Sequence, residues 1–238
     1  MRARSEIISL LTNPGVIAII RTKGAEQIPS ICEALLAGGI NAIEITMTVP
    51  GALDAVRAAA HRFGARSLVG AGTVLNAQQC RDAIRAGAAF IITPVTRLEV
   101  IDAAHESERP VMIGAYTPTE AQLAYEAGAD FIKIFPADRL GPSYIKNLLA
   151  PLPHLRVVPT GGVDLKTAVE FLNAGCAALG VGSALLPPEV LRNADWHELT
   201  RLAKAFVEVA QAARRDKRLA ELAEKHSKQD LPTFPSLP

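Results

Sequence analysis

Four segments of the chain share a pattern in which a helix-like stretch ends at a glycine and an apolar run follows. The helix-like stretches are residues 28–36, 77–85, 119–126 and 165–173, and the glycines are Gly39, Gly87, Gly128 and Gly175. Glycine readily adopts the left-handed conformation that ends a helix, and a short continuous apolar run is typical of a strand buried on both faces. Each segment therefore predicts a helix followed by a buried strand.

The spacing of these glycines indicates how many strands the chain contains. They are 48, 41 and 47 residues apart, which is long for one strand–helix unit and suits two. Apolar runs that supply the second strand of each unit lie at residues 16–21, 67–72, 110–115 and 156–161. Eight short buried strands with intervening helices predict a parallel (β/α)8 TIM barrel.

The two ends of the chain have a different pattern from the repeats. Residues 5–11 predict a short helix that we expect to cover the barrel floor, and residues 196–213 predict the last barrel helix. From residue 214 the chain is charged and helix-prone, and residues 228–238 contain three prolines. The sequence therefore predicts one barrel domain over residues 1–213 and a C-terminal extension over residues 214–238. The extension lies outside the barrel or docks on a neighbouring subunit.

Composition narrows the classes of function. The chain has 238 residues and a net charge of +1, which gives no electrostatic reason to expect binding to nucleic acid or a membrane surface. Its three cysteines are far apart, form no CxxC pair and have no zinc spacing with histidine, so we expect reduced thiols and no metal site or cofactor. The first residues lack an apolar signal core, and we expect a cytoplasmic protein.

Two opposite charges occupy matching positions in strands that are otherwise apolar. Glu44 and Lys133 each lie five residues after the aligned glycine, where the other two repeats have Ile92 and Gly180. Matching strand positions point the same way, so both side chains should face the barrel axis near its mouth. A structural ion pair, or a lysine that points outward between helices, would also account for the charges. Because a buried ion pair contributes little net stability, we favour a functional role.

The chemistry of these two groups fits carbon–carbon bond cleavage. An amine shielded from water is favoured in its neutral form, and a neutral amine attacks a ketone to form an iminium that withdraws electrons. A nearby carboxyl group can transfer the protons that this sequence of steps requires. Lys133 and Glu44 are therefore the candidate catalytic residues of a reaction that needs no metal.

Further polar or glycine-rich segments end other strands. Gly70–Ala71–Gly72–Thr73 ends the third strand, where Thr73 offers a hydroxyl, and Arg21 ends the first, where it can bind a carboxylate or simply be a surface charge. Thr160–Gly161–Gly162 and Gly180–Val181–Gly182–Ser183 end the seventh and eighth strands. Loops at these two places often bind phosphate in barrels, although they also form plain tight turns.

Three motifs together resemble those of the 2-keto-3-deoxy-6-phosphogluconate aldolase family, which includes 4-hydroxy-2-oxoglutarate and 2-keto-3-deoxy-6-phosphogalactonate aldolases. They are Phe131–Ile132–Lys133–Ile134–Phe135–Pro136–Ala137, Gly70–Ala71–Gly72–Thr73–Val74–Leu75 and Pro159–Thr160–Gly161–Gly162–Val163. The resemblance implies a homotrimer of (β/α)8 barrels in the Entner–Doudoroff part of carbohydrate metabolism. It also implies Schiff-base cleavage of a keto acid phosphate into pyruvate and glyceraldehyde 3-phosphate.

The resemblance also assigns roles to individual residues. Lys133 matches the Schiff-base lysine, and Glu44 matches the acid/base glutamate. Residues that match the surroundings of the pyruvate moiety are Thr73, Pro94 and Phe135. Residues that match the phosphate end of the site are Gly161, Gly162, Gly182 and Ser183, next to Thr160.

One departure from the family pattern leaves the substrate open. Phosphogluconate enzymes typically have an arginine four residues after the glutamate, and this chain has Thr48 there. Phosphogalactonate enzymes have an arginine at the end of the first strand, where this chain has Arg21. The segment Pro159–Thr160–Gly161–Gly162, in contrast, is more similar to the phosphogluconate type. Either epimer, or 4-hydroxy-2-oxoglutarate, therefore fits. A metal-dependent sugar-phosphate epimerase and a non-catalytic scaffold are weaker alternatives.

Overall fold

The computed structural model describes the backbone of residues 2–229 and the side chains of residues 2–216. The strands are β1 Val16–Ile20, β2 Ala42–Thr46, β3 Leu68–Gly72, β4 Ile91–Ile92, β5 Val111–Ala115, β6 Phe131–Ile134, β7 Val157–Pro159 and β8 Leu179–Val181. The helices are α1 Arg4–Thr12, α2 Ile28–Ala37, α3 Ala52–Phe63, α4 Ala77–Arg85, α5 Glu99–His105, α6 Pro118–Glu126, α7 Gly141–Leu149, α8 Leu165–Asn173, α9 Pro188–Arg192 and α10 Trp196–Gln229.

The strands form one parallel sheet in the order β7-β6-β5-β4-β3-β2-β1-β8. A parallel bridge between Thr160 and Gly180 joins the two ends of this order and closes the barrel next to β7 and β8. Helices alternate with the strands along the chain, as right-handed crossovers between parallel strands require. The predicted (β/α)8 barrel is confirmed.

The repeating glycines have the backbone conformation that the pattern predicts. Gly39, Gly87, Gly128 and Gly175 have φ angles of 89°, 106°, 99° and 107°, in the left-handed region. Each follows the helix that the sequence indicates, and each precedes the next strand. The four turns thus bring the chain back into the barrel at the same level.

The floor of the barrel is filled with apolar side chains. Strand residues that point inward form a buried cluster with Ile7 and Leu11 of α1, and these two side chains are each 1% exposed. Arg4 of α1 also donates hydrogen bonds to the Asp130 carboxylate at 2.7 and 3.1 Å, just before β6. The expectation that the first helix covers the floor is therefore confirmed. The other buried members of the cluster, which lie in the strands or directly before them, are Ile17, Ala42, Leu68, Phe90, Ile92, Met112, Phe131, Val158 and Ala178.

Helix α10 is longer than the pattern predicts, since it continues without a break from Trp196 past Arg214 to Gln229. Arg214 donates a hydrogen bond of 2.6 Å to the carbonyl of Ala177, just before β8, and its guanidinium lies against Gly15. The helix therefore passes the floor end of the barrel at Arg214 and continues beyond it. Residues 230–238, with the predicted proline-rich end, lie outside the described residues.

Two further findings concern the chain as a whole. Cys32, Cys80 and Cys176 are buried and form no disulfide. Among the residues described, no helix combines the length and apolarity needed to cross a membrane.

Candidate functional site

Glu44 and Lys133 meet inside the barrel. The Nζ atom of Lys133 lies 4.0 Å from Oε1 of Glu44, and the two side chains are 6% and 1% exposed. Glu44 belongs to β2 and Lys133 to β6, on opposite sides of the barrel. Both lie two residues further along their strands than members of the floor cluster, Ala42 and Phe131, and so point to the same interior. The predicted orientation of the two charges is confirmed.

Glycines on the strands leave room for the Glu44 side chain and for neighbouring groups of the upper interior. A Cβ atom on Gly72 would overlap the Glu44 carboxylate, and a Cβ on Gly180 would overlap the Thr160 hydroxyl. Gly114 pairs with Lys133 across β5 and β6, and a Cβ atom on Gly114 would overlap the backbone of Pro94 and Val95. The upper interior therefore uses glycine where the floor uses leucine, isoleucine and phenylalanine.

The Glu44 carboxyl group is in an unusual environment. Neither of its oxygens has a hydrogen-bond partner among the residues described. Burial raises the pKa of this carboxyl above its ordinary value, and the positive charges of Lys133 and Arg21 oppose that shift in part. A carboxyl whose pKa is raised stays protonated at higher pH and can donate a proton to a bound molecule.

Lys133 is held between the carboxyl group and an aromatic ring. Its Nζ atom lies 5.3 Å from the centroid of the Phe135 ring, within the range of a cation–π contact. Phe135 is the next residue on the same side of the chain beyond β6, and it is half-buried. The amine therefore lies between Glu44 and the Phe135 ring, which is nearer the mouth of the barrel.

A cavity of about 1090 Å³ opens at the carboxyl ends of the strands. Seven of the predicted site residues line it, and the cavity joins them into one site. They are Arg21, Phe135, Thr160, Gly161, Gly162, Gly182 and Ser183. Through Phe135, the lower end of this cavity adjoins Lys133.

Four of the predicted site residues do not line this cavity: Lys133 and Glu44, which are buried inside the barrel, and Thr73 and Pro94. Thr73 follows β3 with a φ of 60°, an unfavourable conformation for a β-branched residue, and strained residues of this kind are often found at functional sites. Pro94 lies between Thr93 and Val95. The Thr93 hydroxyl accepts a hydrogen bond from the Gly114 amide and donates one to the Val95 carbonyl. Thr73 and Pro94 thus lie at the carboxyl ends of β3 and β4, on another side of the mouth.

The glycine turn after β7 is shaped by a helix cap. Gly161 and Gly162 are both left-handed, with φ angles of 88° and 72°. Next to them, the Asp164 carboxylate accepts hydrogen bonds of 2.8 Å from the amides of Lys166 and Thr167, which begin α8. These bonds lower the pKa of Asp164. The amino end of α8 is therefore occupied by the chain's own carboxylate.

Arg21 and Thr48 differ in their relation to the site. Arg21 is exposed, lines the cavity and lies close enough to Glu44 to affect its pKa. The Thr48 hydroxyl is 2.8 Å from that of Thr46 at the end of β2, and Thr48 does not line the cavity. Of the two residues, only Arg21 therefore lies in the cavity and near Glu44.

Sequence patterns did not indicate the other residues that line the same cavity, among them five that have polar side chains or lie in the outer wall. These are Lys23, Gln27, Asp164, Leu191 and Arg192. They come from the loop after β1, the cap of α8 and the short helix α9, none of which belongs to the repeating pattern. Among the residues described, no group of three or more His, Cys, Asp or Glu side chains is arranged to hold a metal ion.

The buried lysine and carboxyl group lie toward the carboxyl ends of the strands, where TIM-barrel enzymes have their active sites. The fold and the site together are therefore those of a TIM-barrel enzyme. The chain belongs to the aldolase family described as KDPG and KHG aldolase, whose members are lyases, because residues 7–202 match that family. The abbreviations stand for 2-keto-3-deoxy-6-phosphogluconate and 4-hydroxy-2-oxoglutarate.

Three relatives illustrate the match. The KHG/KDPG aldolase of Escherichia coli (strain K12) is 34% identical over 203 residues, which cover 85% of this chain and 95% of that protein. The 2-dehydro-3-deoxy-6-phosphogalactonate aldolase of the same strain is 38% identical, over 71% of this chain and 83% of that protein. A crystal structure of KDPG aldolase from Legionella pneumophila, with pyruvate captured as a covalent carbinolamine, is 31% identical. It has a TM-score of 0.75 and covers 87% of this chain and 97% of that one.

Proposed function

We propose that this protein is a class I aldolase that cleaves a 2-keto-3-deoxy acid phosphate through a Schiff base on Lys133. The observation that carries the proposal is the buried pair of Lys133 and Glu44, 4.0 Å apart, with Lys133 in contact with Phe135, which lines the cavity. The captured carbinolamine in the Legionella relative gives independent support for amine chemistry in this family. Stability alone is a weak reason for this pair, because a buried ion pair contributes little net stability.

The first half of the reaction forms the iminium. The neutral Lys133 amine attacks the C2 carbonyl carbon of the substrate, and the nitrogen loses a proton as the oxygen gains one, which gives a carbinolamine. Glu44, whose pKa is raised by burial, donates a proton to the carbinolamine hydroxyl, which leaves as water. The products of this half are an iminium on Lys133 and an ionised Glu44 carboxylate beside it.

The second half breaks the carbon–carbon bond and restores the enzyme. Glu44 accepts the proton of the C4 hydroxyl as the C3–C4 electron pair moves into the iminium, which releases an aldehyde and leaves an enamine. Glu44 then protonates C3 of the enamine and next takes a proton from the water that hydrolyses the iminium. The cycle ends with pyruvate, a free amine and a protonated Glu44.

The cavity supports a phosphorylated substrate. Phe135, next to Lys133, lies at its lower end, and the glycine turns after β7 and β8 line the same cavity, where backbone amides can bind phosphate. We propose 2-keto-3-deoxy-6-phosphogluconate as the substrate, with glyceraldehyde 3-phosphate as the aldehyde product. The C4 epimer is the closest alternative, because Arg21 lines the cavity and the phosphogalactonate relative is 38% identical. The shorter 4-hydroxy-2-oxoglutarate is the third.

We further propose a cytoplasmic homotrimer, supported by the family resemblance. Mass measurement in solution tests the assembly, and the same measurement on a chain truncated after Ala213 tests whether the C-terminal extension contributes to it. An unchanged trimer after truncation would show that the extension is not needed for assembly.

Kinetic assays test the reaction and the substrate together. Pyruvate release from the two phosphorylated epimers and from 4-hydroxy-2-oxoglutarate should give the highest kcat/KM for the phosphogluconate. Glu44→Gln should lower kcat by about 10²- to 10⁴-fold and still allow some imine to form. Release of pyruvate from none of the three compounds would contradict the proposal.

A further inference from the structure

Two cationic side chains line the cavity, and the mechanism gives them no task. Lys23 lies in the loop after β1, and Arg192 is the last residue of α9. Both are exposed, and within residues 2–216 neither forms an ion pair. An unpaired cation on the wall of a concave site is placed to bind an anion.

The wall that carries these cations is fixed to the barrel. Gln27 follows Lys23 in the same loop, and its side-chain amide donates a hydrogen bond of 3.0 Å to the carbonyl of Leu191, next to Arg192. Val190 of α9 is buried, with 8% exposure, and Leu186 just before it is also buried. The hydrogen bond and the apolar contacts hold the loop and α9 side by side along the cavity.

The charges of the lining favour a strongly anionic occupant. Three cations, Arg21, Lys23 and Arg192, face one carboxylate, Asp164, and that carboxylate accepts two amide hydrogen bonds from its own helix. Arg21 lies near Glu44 and suits the keto acid carboxylate, which leaves the other two cations for the far end of the substrate.

We infer that Arg192 and Lys23 form a cationic wall of the cavity that binds the terminal phosphate of the substrate together with the glycine turns. This inference rests on the proposed aldolase function and specifies which substrates the site selects. The wall makes the protein selective for a dianionic phosphate at the far end of a six-carbon keto acid. The wall should contribute less to the binding of 4-hydroxy-2-oxoglutarate, which is one carbon shorter and has no phosphate.

Substitution of the two cations tests the wall. Arg192→Ala and Lys23→Ala should each raise KM for the phosphorylated substrate by roughly threefold to tenfold, and the double variant by more, with little change in kcat. Arg192→Lys should recover part of the loss. KM for the unphosphorylated counterpart and for 4-hydroxy-2-oxoglutarate should stay unchanged. Competitive inhibition by inorganic phosphate should weaken in parallel with binding of the phosphorylated substrate.

Arg97→Ala is the matched control, because Arg97 is an exposed arginine at the same end of the barrel and does not line the cavity. Equal KM shifts for phosphorylated and unphosphorylated substrates, or a shift of the same size in Arg97→Ala, would overturn the inference. Trapping of pyruvate on Lys133 in these variants separates this failure from failure of the aldolase proposal. Normal trapping with no phosphate-specific effect would overturn the cationic wall alone.

Discussion

The two halves of the barrel interior are built from different residues. The lower half is a closed apolar cluster in which Leu11 and Phe90 are each 1% exposed. The upper half contains a lysine, a carboxyl group without a hydrogen-bond partner among the residues described, and a glycine, Gly72, that leaves room for that carboxyl group. The comparison shows that the floor stabilises the barrel, whereas the upper half keeps charges buried at a cost in stability. Changes in the two halves should therefore affect different measurements.

Leu11→Ala should have the largest effect on stability. It removes a buried side chain of the α1 cover and should lower the free energy of unfolding by about 2–5 kcal/mol, measured by urea denaturation. Activity per folded molecule should be unchanged, because Leu11 lies at the end opposite the cavity. Leu123→Ala, at a leucine that is 47% exposed, is the control and should change stability little. A specific loss of kcat in Leu11→Ala would contradict the division between the two halves.

Gly72→Ala should lower activity and leave the fold unchanged. The added methyl group would overlap the Glu44 carboxylate, which must then move from its position beside Lys133. We expect kcat to fall by about 10²-fold, the effect of a misplacement of roughly 1 Å, while the far-UV circular dichroism stays unchanged. In the control Gly24→Ala, the methyl group meets only the exposed side chain of Glu26. Full activity in Gly72→Ala would show that the position of Glu44 is unimportant.

The smallest expected effect is a pH-dependent gain in stability in Glu44→Gln. Burial raises the pKa of Glu44 in the folded protein above the ordinary 4.5. Its contribution to stability is therefore fully present below that ordinary value and is lost as the pH rises through the raised pKa. Relative to wild type, Glu44→Gln should have a higher Tm at about pH 8 and an equal Tm at about pH 4.

The control is a glutamate whose pKa is shifted in the opposite direction. A hydrogen bond from Arg81 lowers the pKa of the exposed Glu106, so Glu106→Gln should give no gain in Tm as the pH rises. A Tm for Glu44→Gln that stays equal to that of wild type over the whole range would show that Glu44 bears no cost of burial.

The repeating part of the molecule was predictable because one physical pattern determines it. The glycine turns, the apolar strands and the matching positions of Glu44 and Lys133 all follow from strand periodicity and helix capping. The outer wall of the cavity was not predictable in this way. The hydrogen bond between Gln27 and Leu191 joins residues 164 positions apart, and no local pattern encodes such a contact. The predicted last helix ended at residue 213, where the composition becomes charged. Charged residues do not end a helix, so α10 continues past Arg214.

Borohydride trapping tests the central claim most directly. Pyruvate and sodium borohydride are added to the purified protein, and the modified residue is located by mass spectrometry after proteolysis. The account predicts one reduced pyruvate adduct, on Lys133 of the wild type, and none on Lys133→Met, whose side chain is similar in length but has no amine. An unmodified wild type, or an equal adduct on Lys133→Met, would contradict it.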